Sequence, residues 1–287
     1  MDKPVQSGPV SVQGACKTRP TPWVARTRWT AGIAALAAVL AAAGPARGER
    51  PFLVTERATL LDHGEARLEV GVDASRFSSD ITRYAINTEL TSGILTNLNF
   101  TVEAPYLFVT GTDGGTQGQV GDVVLRPKLQ LLKGREANPL SLAAELVLKF
   151  PSCDDAVVAN VPHVIPACTG EADLGMVAIA TKEFQPVTVH LNLGYTLVGN
   201  PPGRNVDDVT TYSLAFEYVT ILPAVTVVTE LWGETSREPG VYGNALALLL
   251  GVTYQLNRRV VLDSSLTAGL SSPSADYTAA FGMSYRF

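Results

Sequence analysis

From residue 64 to the last residue, apolar and polar side chains alternate with a period of two, in twelve successive segments. A helix would gather its apolar residues every three or four positions, whereas a strand puts alternate residues on opposite faces. In "GEARLEVGVDAS", Ala66, Leu68, Val70, Val72 and Ala74 share one face, and Glu65, Arg67, Glu69, Gly71 and Asp73 share the other. In "VTVHLNLGYTLV", Val187, Val189, Leu191, Leu193, Tyr195 and Leu197 oppose Thr188, His190, Asn192, Gly194 and Thr196. The pattern predicts strands at 64–77, 80–92, 97–109, 119–132, 140–150, 171–183, 187–198, 209–219, 224–234, 244–256, 259–270 and 276–287.

These segments exceed the roughly 5–6 residues usual in a soluble sheet and match the roughly 9–11 that cross a bilayer. Their even number suits a bacterial single-chain barrel. The predicted fold is therefore all-β: a transmembrane antiparallel up-and-down β-barrel of about twelve strands. A soluble sandwich would also alternate, with its polar face in water. Three features tell against it. The chain opens with an export signal, the apolar face is almost free of charge, and its aromatics gather near strand ends. Phe108, Phe150, Tyr195, Tyr212 and Tyr277 fall toward one rim, and Tyr218, Tyr254, Tyr285 and Phe287 toward the other. Amphipathic rings favour the two membrane interfaces. With both termini periplasmic, the inward turns are short and the outward loops are mostly longer, as such barrels require.

The export signal occupies residues 1–48. Arg26 and Arg28 precede the apolar run 31–43, and Gly44-Pro45 and the small-x-small stretch 46–48 follow. The n-region is long, but the apolar run is too short to span a bilayer, so a cleaved signal peptide is expected rather than an anchor. Removing it takes away six Lys/Arg and one Asp, leaving a net charge of −10. That balance excludes nucleic acid as a partner. Residues 49–63 form a periplasmic N-terminal segment and a candidate plug, and 64–287 the barrel.

The polar face carries the candidate lumen-lining residues Arg67, Glu69, Glu89, Glu103, Arg126, Lys128, Glu145, Lys149, Glu217, Glu230 and Asp263. They either pair across a narrow lumen or line a water-filled path. Glu145 and Glu230 sit mid-strand with the fewest cations beside them in their own strands, which marks them for the strongest influence on ions. Cys153 and Cys168 share the longest outer loop, and an exported chain meets an oxidising periplasm, so a disulfide is expected. The closing strand ends on Tyr285 and Phe287, a terminal signal for barrel-assembly machinery. His63, His163 and His190 are far apart in sequence and no Cys/His cluster has metal spacing, so no metal, cofactor or catalytic set is expected.

The chain resembles the outer-membrane β-barrel transporter-like family named for the meta pathway of phenol degradation. The resemblance rests on "PFLVTERATLLDHGEARLEVGV", "NFTVEAPY", "GQVGDVVLRPKLQLL", "TGEADLGMVAIATKEFQPVTVHLNLGYTLVG", "VVTELWGETS" and the C-terminal "GVTYQLNRRVVLDSSLTAGLSSPSADYTAAFGMSYRF", in that order. Pro127 departs from the usual pattern of the fourth strand. The resemblance implies a channel in the outer membrane of a Gram-negative bacterium, in contact with outer-membrane lipid and passing small-molecule solutes, aromatic or hydrophobic compounds among them. It supplies no active residues. The other reading is a non-transporting structural or adhesive barrel that acts through its outer loops.

Overall fold

The computed structural model describes residues 51–77, 82–110, 116–152, 170–200, 207–236 and 244–287. The leader 1–48 and the loop cysteines Cys153 and Cys168 lie outside them. The described chain forms thirteen strands: β1 (Ala66–Arg76), β2 (Thr82–Leu95), β3 (Leu98–Thr110), β4 (Thr116–Val120), β5 (Val123–Leu132), β6 (Leu140–Phe150), β7 (Asp173–Phe184), β8 (Val187–Leu197), β9 (Val209–Val219), β10 (Val225–Ser236), β11 (Ala245–Gln255), β12 (Val260–Gly269) and β13 (Tyr277–Arg286). Sequential neighbours pair antiparallel around the wall. β13 then pairs with β1, from Arg67 opposite Arg286 to Arg76 opposite Tyr277, and closes the ring. Closure leaves the twelve-position ring without an edge, which a hydrocarbon environment demands; among the described residues only the short β4 pairs on one side alone, with β3.

Twelve wall positions hold thirteen strands because the expected fourth strand, 119–132, is broken. Both β4 and β5 pair with β3, with Tyr106 opposite Val120 and Glu103 opposite Val124. Two residues of β3 thus face three of the partner, so the break is a one-residue bulge at Gly121-Asp122. The bulge turns Asp122 inward, where it accepts the Ser152 N–H at 2.9 Å and lies 3.5 Å from Lys149 Nζ.

Alternation sets the two faces. At outward strand positions only Arg76 and Lys182, each near a strand end, carry charge. Leu191, Leu193 and Tyr195 are exposed on this face, while His190 and Asn192 between them are buried. Buried polar residues recur on the inner face of every strand except β4 and β5, Glu69, Thr91, Glu145, Thr181, Ser213, Thr253 and Ser284 among them. The usual order of a globular protein is inverted, with the polar side inside.

Residues 51–63 run through the interior before β1 begins. Gly251 on β11 marks one end of this path: a side-chain carbon there would lie 2.7 Å from Cγ of Pro51. Gly93 marks the other, since a Cβ would lie 2.1 Å from the Asp62 carbonyl oxygen. Glycine is required at both close approaches.

Candidate functional site

The interior divides by strand. β1, β2, β3, β5 and β6 carry a charged belt. Arg67 lies 2.8 Å from Glu69, which also accepts the Ser284 hydroxyl at 2.8 Å. Arg126 pairs with Glu103 and lies 3.9 Å from Glu89. Lys128 reaches Glu145 at 3.2 Å, and Lys149 reaches Asp173 at 2.6 Å. The facing strands β9, β10 and β11 present Ser213, Ala215, Val228, Ala247 and Leu249, all buried. Asp263 is buried on β12 against Gly282.

The segment 51–63 is bound to both halves, in part by the candidate lumen-lining side chains Arg126, Lys128, Glu217 and Glu230. Glu230 is fully buried. Its carboxylate accepts the N–H groups of Leu53, Val54 and Thr55 at 2.7, 3.0 and 2.7 Å. The Thr55 hydroxyl donates to the same carboxylate at 2.7 Å and lies 2.8 Å from Ser213 Oγ. Glu230 is therefore a receptor for backbone, not a free charge facing solutes. Glu145 is likewise occupied, by Lys128.

Three further contacts hold the next residues. Glu56 crosses to the belt, where Arg126 meets it at 3.0 Å and Lys128 also pairs with it. Burial alone would raise the Glu56 carboxyl, but the Lys128 and Arg126 cations outweigh it and hold the group at about 2. Asn192, with its amide turned to satisfy both partners, brackets the Glu56 peptide: its oxygen accepts Glu56 N–H at 2.6 Å and its nitrogen donates to Glu56 C=O at 3.1 Å. Arg57 pairs with Glu217. The Ala58 N–H donates to Thr181 Oγ1 at 2.9 Å, and the Ala58 carbonyl accepts from Gln130 at 2.8 Å. Thr181 Oγ1 lies 2.9 Å from His190 Nδ1, and His190 Nε2 lies 3.0 Å from Glu217. With Nε2 protonated, the chain runs from Ala58 N–H through Thr181 and His190 to the carboxylate that also holds Arg57. Phe52 packs edge-on to His190, ring centroids 5.5 Å apart.

Beside Val54 and Glu56 a cavity of about 220 Å³ remains. Glu103, Arg126 and Glu145 border one part of it, and Val124, Val147 and Val177 another. Sequence reasoning missed Thr55, Glu56 and Arg57 as site residues. Their one signal is a polar triplet that follows the apolar stretch 52–54, with no strand period. Tyr285 and Phe287 lie apart from this site, on the outside of the closing seam. Their rings are 5.0 Å apart, and the Phe287 N–H donates to the Ala66 carbonyl at 2.9 Å.

A sequence family described as "Putative MetA-pathway of phenol degradation" matches residues 45–287. The chain belongs to that family. No curated protein matches it by sequence. Among solved structures, the crystal structure of an outer-membrane channel from Pseudomonas putida F1 is similar at 14% identity with a TM-score of 0.64, covering 84% of this chain and 100% of that one. The KdgM porin, in complex with disordered oligogalacturonate, is similar at 8% identity with a TM-score of 0.50, covering 78% of this chain and 99% of that one. At such identities the likeness concerns the fold. Within the family, then, this chain is a closed transmembrane antiparallel barrel of the outer-membrane type.

Proposed function

We propose that the chain is a channel in the outer membrane of a Gram-negative bacterium, that small molecules enter it by passive diffusion, and that residues 51–63 are its plug. The observation that carries this reading is the contrast of faces: an outer wall charged only near strand ends around an interior of belted charges. Such an interior suits water and solutes, and such an exterior suits lipid. Family membership and the fold shared with outer-membrane channels support it. The family's description favours aromatic or hydrophobic compounds as solutes. The leader 1–48 exports the chain, and the terminal pair Tyr285 and Phe287 presents it to the assembly machinery.

Acidic side chains outnumber basic ones on the inner face, and low-dielectric walls focus that excess, so the path prefers cations. The decisive measurement is conductance and reversal potential across a salt gradient in a planar bilayer. A modest cation preference that weakens as salt rises is expected. Replacing Glu56 with Gln removes a partner of Arg126 and Lys128, and should raise open probability. One observation favours the second reading, a barrel that transports nothing: Glu230 is wholly satisfied by the segment, as in a permanently filled interior. Silence in bilayers from both wild type and Glu56→Gln, in protein shown folded by heat-modifiable gel mobility, would decide for that reading.

A further inference from the structure

Charge in the belt does not balance. Arg126 is shared by Glu56, Glu89 and Glu103, and Lys128 by Glu56 and Glu145. Four carboxylates thus divide two cations, which leaves an excess of two negative charges when all are ionised. The neighbouring pair of Arg67 and Glu69 leaves that excess unchanged. Glu145 is buried, so bulk water does little to screen it. In a low-dielectric interior an uncompensated carboxylate is costly, and it is met either by a proton or by a bound cation.

The cavity of about 220 Å³ borders this excess. Glu56, Glu103 and Glu145 line it against one cation among the described residues, Arg126. Val54, Val124, Val147 and Val177 supply an apolar wall. The two surfaces are close. Val177 stands directly opposite Glu145 across the β6–β7 ladder, and Val147 is the next inward residue of β6 after Glu145. The volume exceeds that of the roughly 150 Å³ apolar cavity that takes up benzene, so one ring with a short arm fits. A guest in this space meets carboxylates at one end and hydrocarbon at the other.

We propose that the cavity binds protonated amines that carry an apolar body of about one ring, and that these are a class of solute the channel holds in passage. The ammonium group donates to the carboxylates and supplies the missing positive charge, while the body covers the valines. A carboxylate guest would meet only Arg126, which three glutamates already engage. A neutral guest would leave the excess in place. A hydrated metal ion would leave the valines bare. The inference rests on the channel reading above in taking the guest for a solute, and it deepens that reading by naming the solute's charge and shape.

The probe is benzylammonium, titrated calorimetrically at neutral pH into the barrel in detergent micelles, with folding checked by heat-modifiable mobility. Benzyl alcohol, benzoate and methylammonium are the comparisons. Benzylammonium should bind at least about tenfold more tightly than each of them, the worth of one charge-assisted hydrogen bond. Simple partition into micelles would favour the alcohol instead. Glu103→Gln, which keeps the volume and removes a charge, should weaken benzylammonium about tenfold. Val147→Thr, which keeps the shape and removes apolar surface, should weaken benzylammonium and leave methylammonium as it was. Benzyl alcohol or benzoate binding as tightly as benzylammonium overturns the proposal, and so does methylammonium binding as tightly. Potassium conductance is recorded on the same protein. Conduction without amine binding overturns the site and leaves the channel standing. Amine binding by a barrel that stays silent to ions upholds the site and overturns passage.

Discussion

At the scale of single residues, the interior is organised by what each carboxylate accepts. Glu230 takes three consecutive backbone N–H groups, and hydrogen bonds to a charged acceptor are worth about 1.5–3 kcal/mol each. Glu230→Ala leaves those donors unsatisfied in the ring. Amide exchange at Leu53, Val54 and Thr55 should accelerate roughly 100-fold, a change of about 3 kcal/mol, while the strand amides keep their protection. Glu56 gives the pH dependence. Its carboxyl is held at about 2 in the folded state against an ordinary 4.5. A depressed carboxyl contributes stability above its unfolded value and loses it as pH falls through the folded one. Docking of the segment should therefore hold from neutrality to about pH 4.5 and weaken between there and about 2. Limited proteolysis of 51–63 against pH measures this, and Glu56→Gln should flatten the profile across that window. None of this was legible in the sequence. Glu230 and Asp263 look alike on a period-two strand, and a carboxylate that binds backbone leaves no mark on the residues whose N–H groups it accepts.

Single strands show how far pattern alone reaches. β8 occupies Val187–Leu197 and β9 Val209–Val219, where alternation put them, because a register slip of one residue would turn every apolar side chain inward. The fourth strand was misread for the same physical reason. An extra residue at Gly121-Asp122 reverses the parity of the faces, and a two-residue rule has no term for it. Leu191, outward at the middle of β8 and 57% exposed, tests the lipid face. Leu191→Arg should cost about 2–4 kcal/mol in reversible folding into bilayers, and His190→Arg on the inner face should not follow that depth dependence. The closing strand is a separate case. Phe287 joins β13 to Ala66 through one backbone bond and is 63% exposed, so its removal should cost the folded barrel little. Deleting Phe287 should instead lower the level of assembled barrel in cells, scored by heat-modifiable mobility, while refolding in detergent proceeds as in the wild type.

For the molecule as a whole, the ring was legible; residues 49–63 were marked as a candidate plug, but the partners that hold the segment were not. Twelve amphipathic strands with one uncharged face admit few solutions other than a closed wall in lipid. The path of residues 51–63 follows no period, because its partners come from β5, β7, β8, β9 and β10 at once. Its course sets an order of events. Pro51 ends up buried against Gly251, within the circle of strands. With the leader cut after Gly48, only Glu49 and Arg50 precede it. With the leader still attached, the same point would carry 48 further residues, with the apolar run 31–43 among them. A barrel whose cleavage site is blocked should therefore leave 51–63 open to protease even when its wall is complete, and protection of that stretch in the uncut protein would contradict this. On the proposed reading, the pore would close only once cleavage frees its first residues, so that maturation and sealing would be one step.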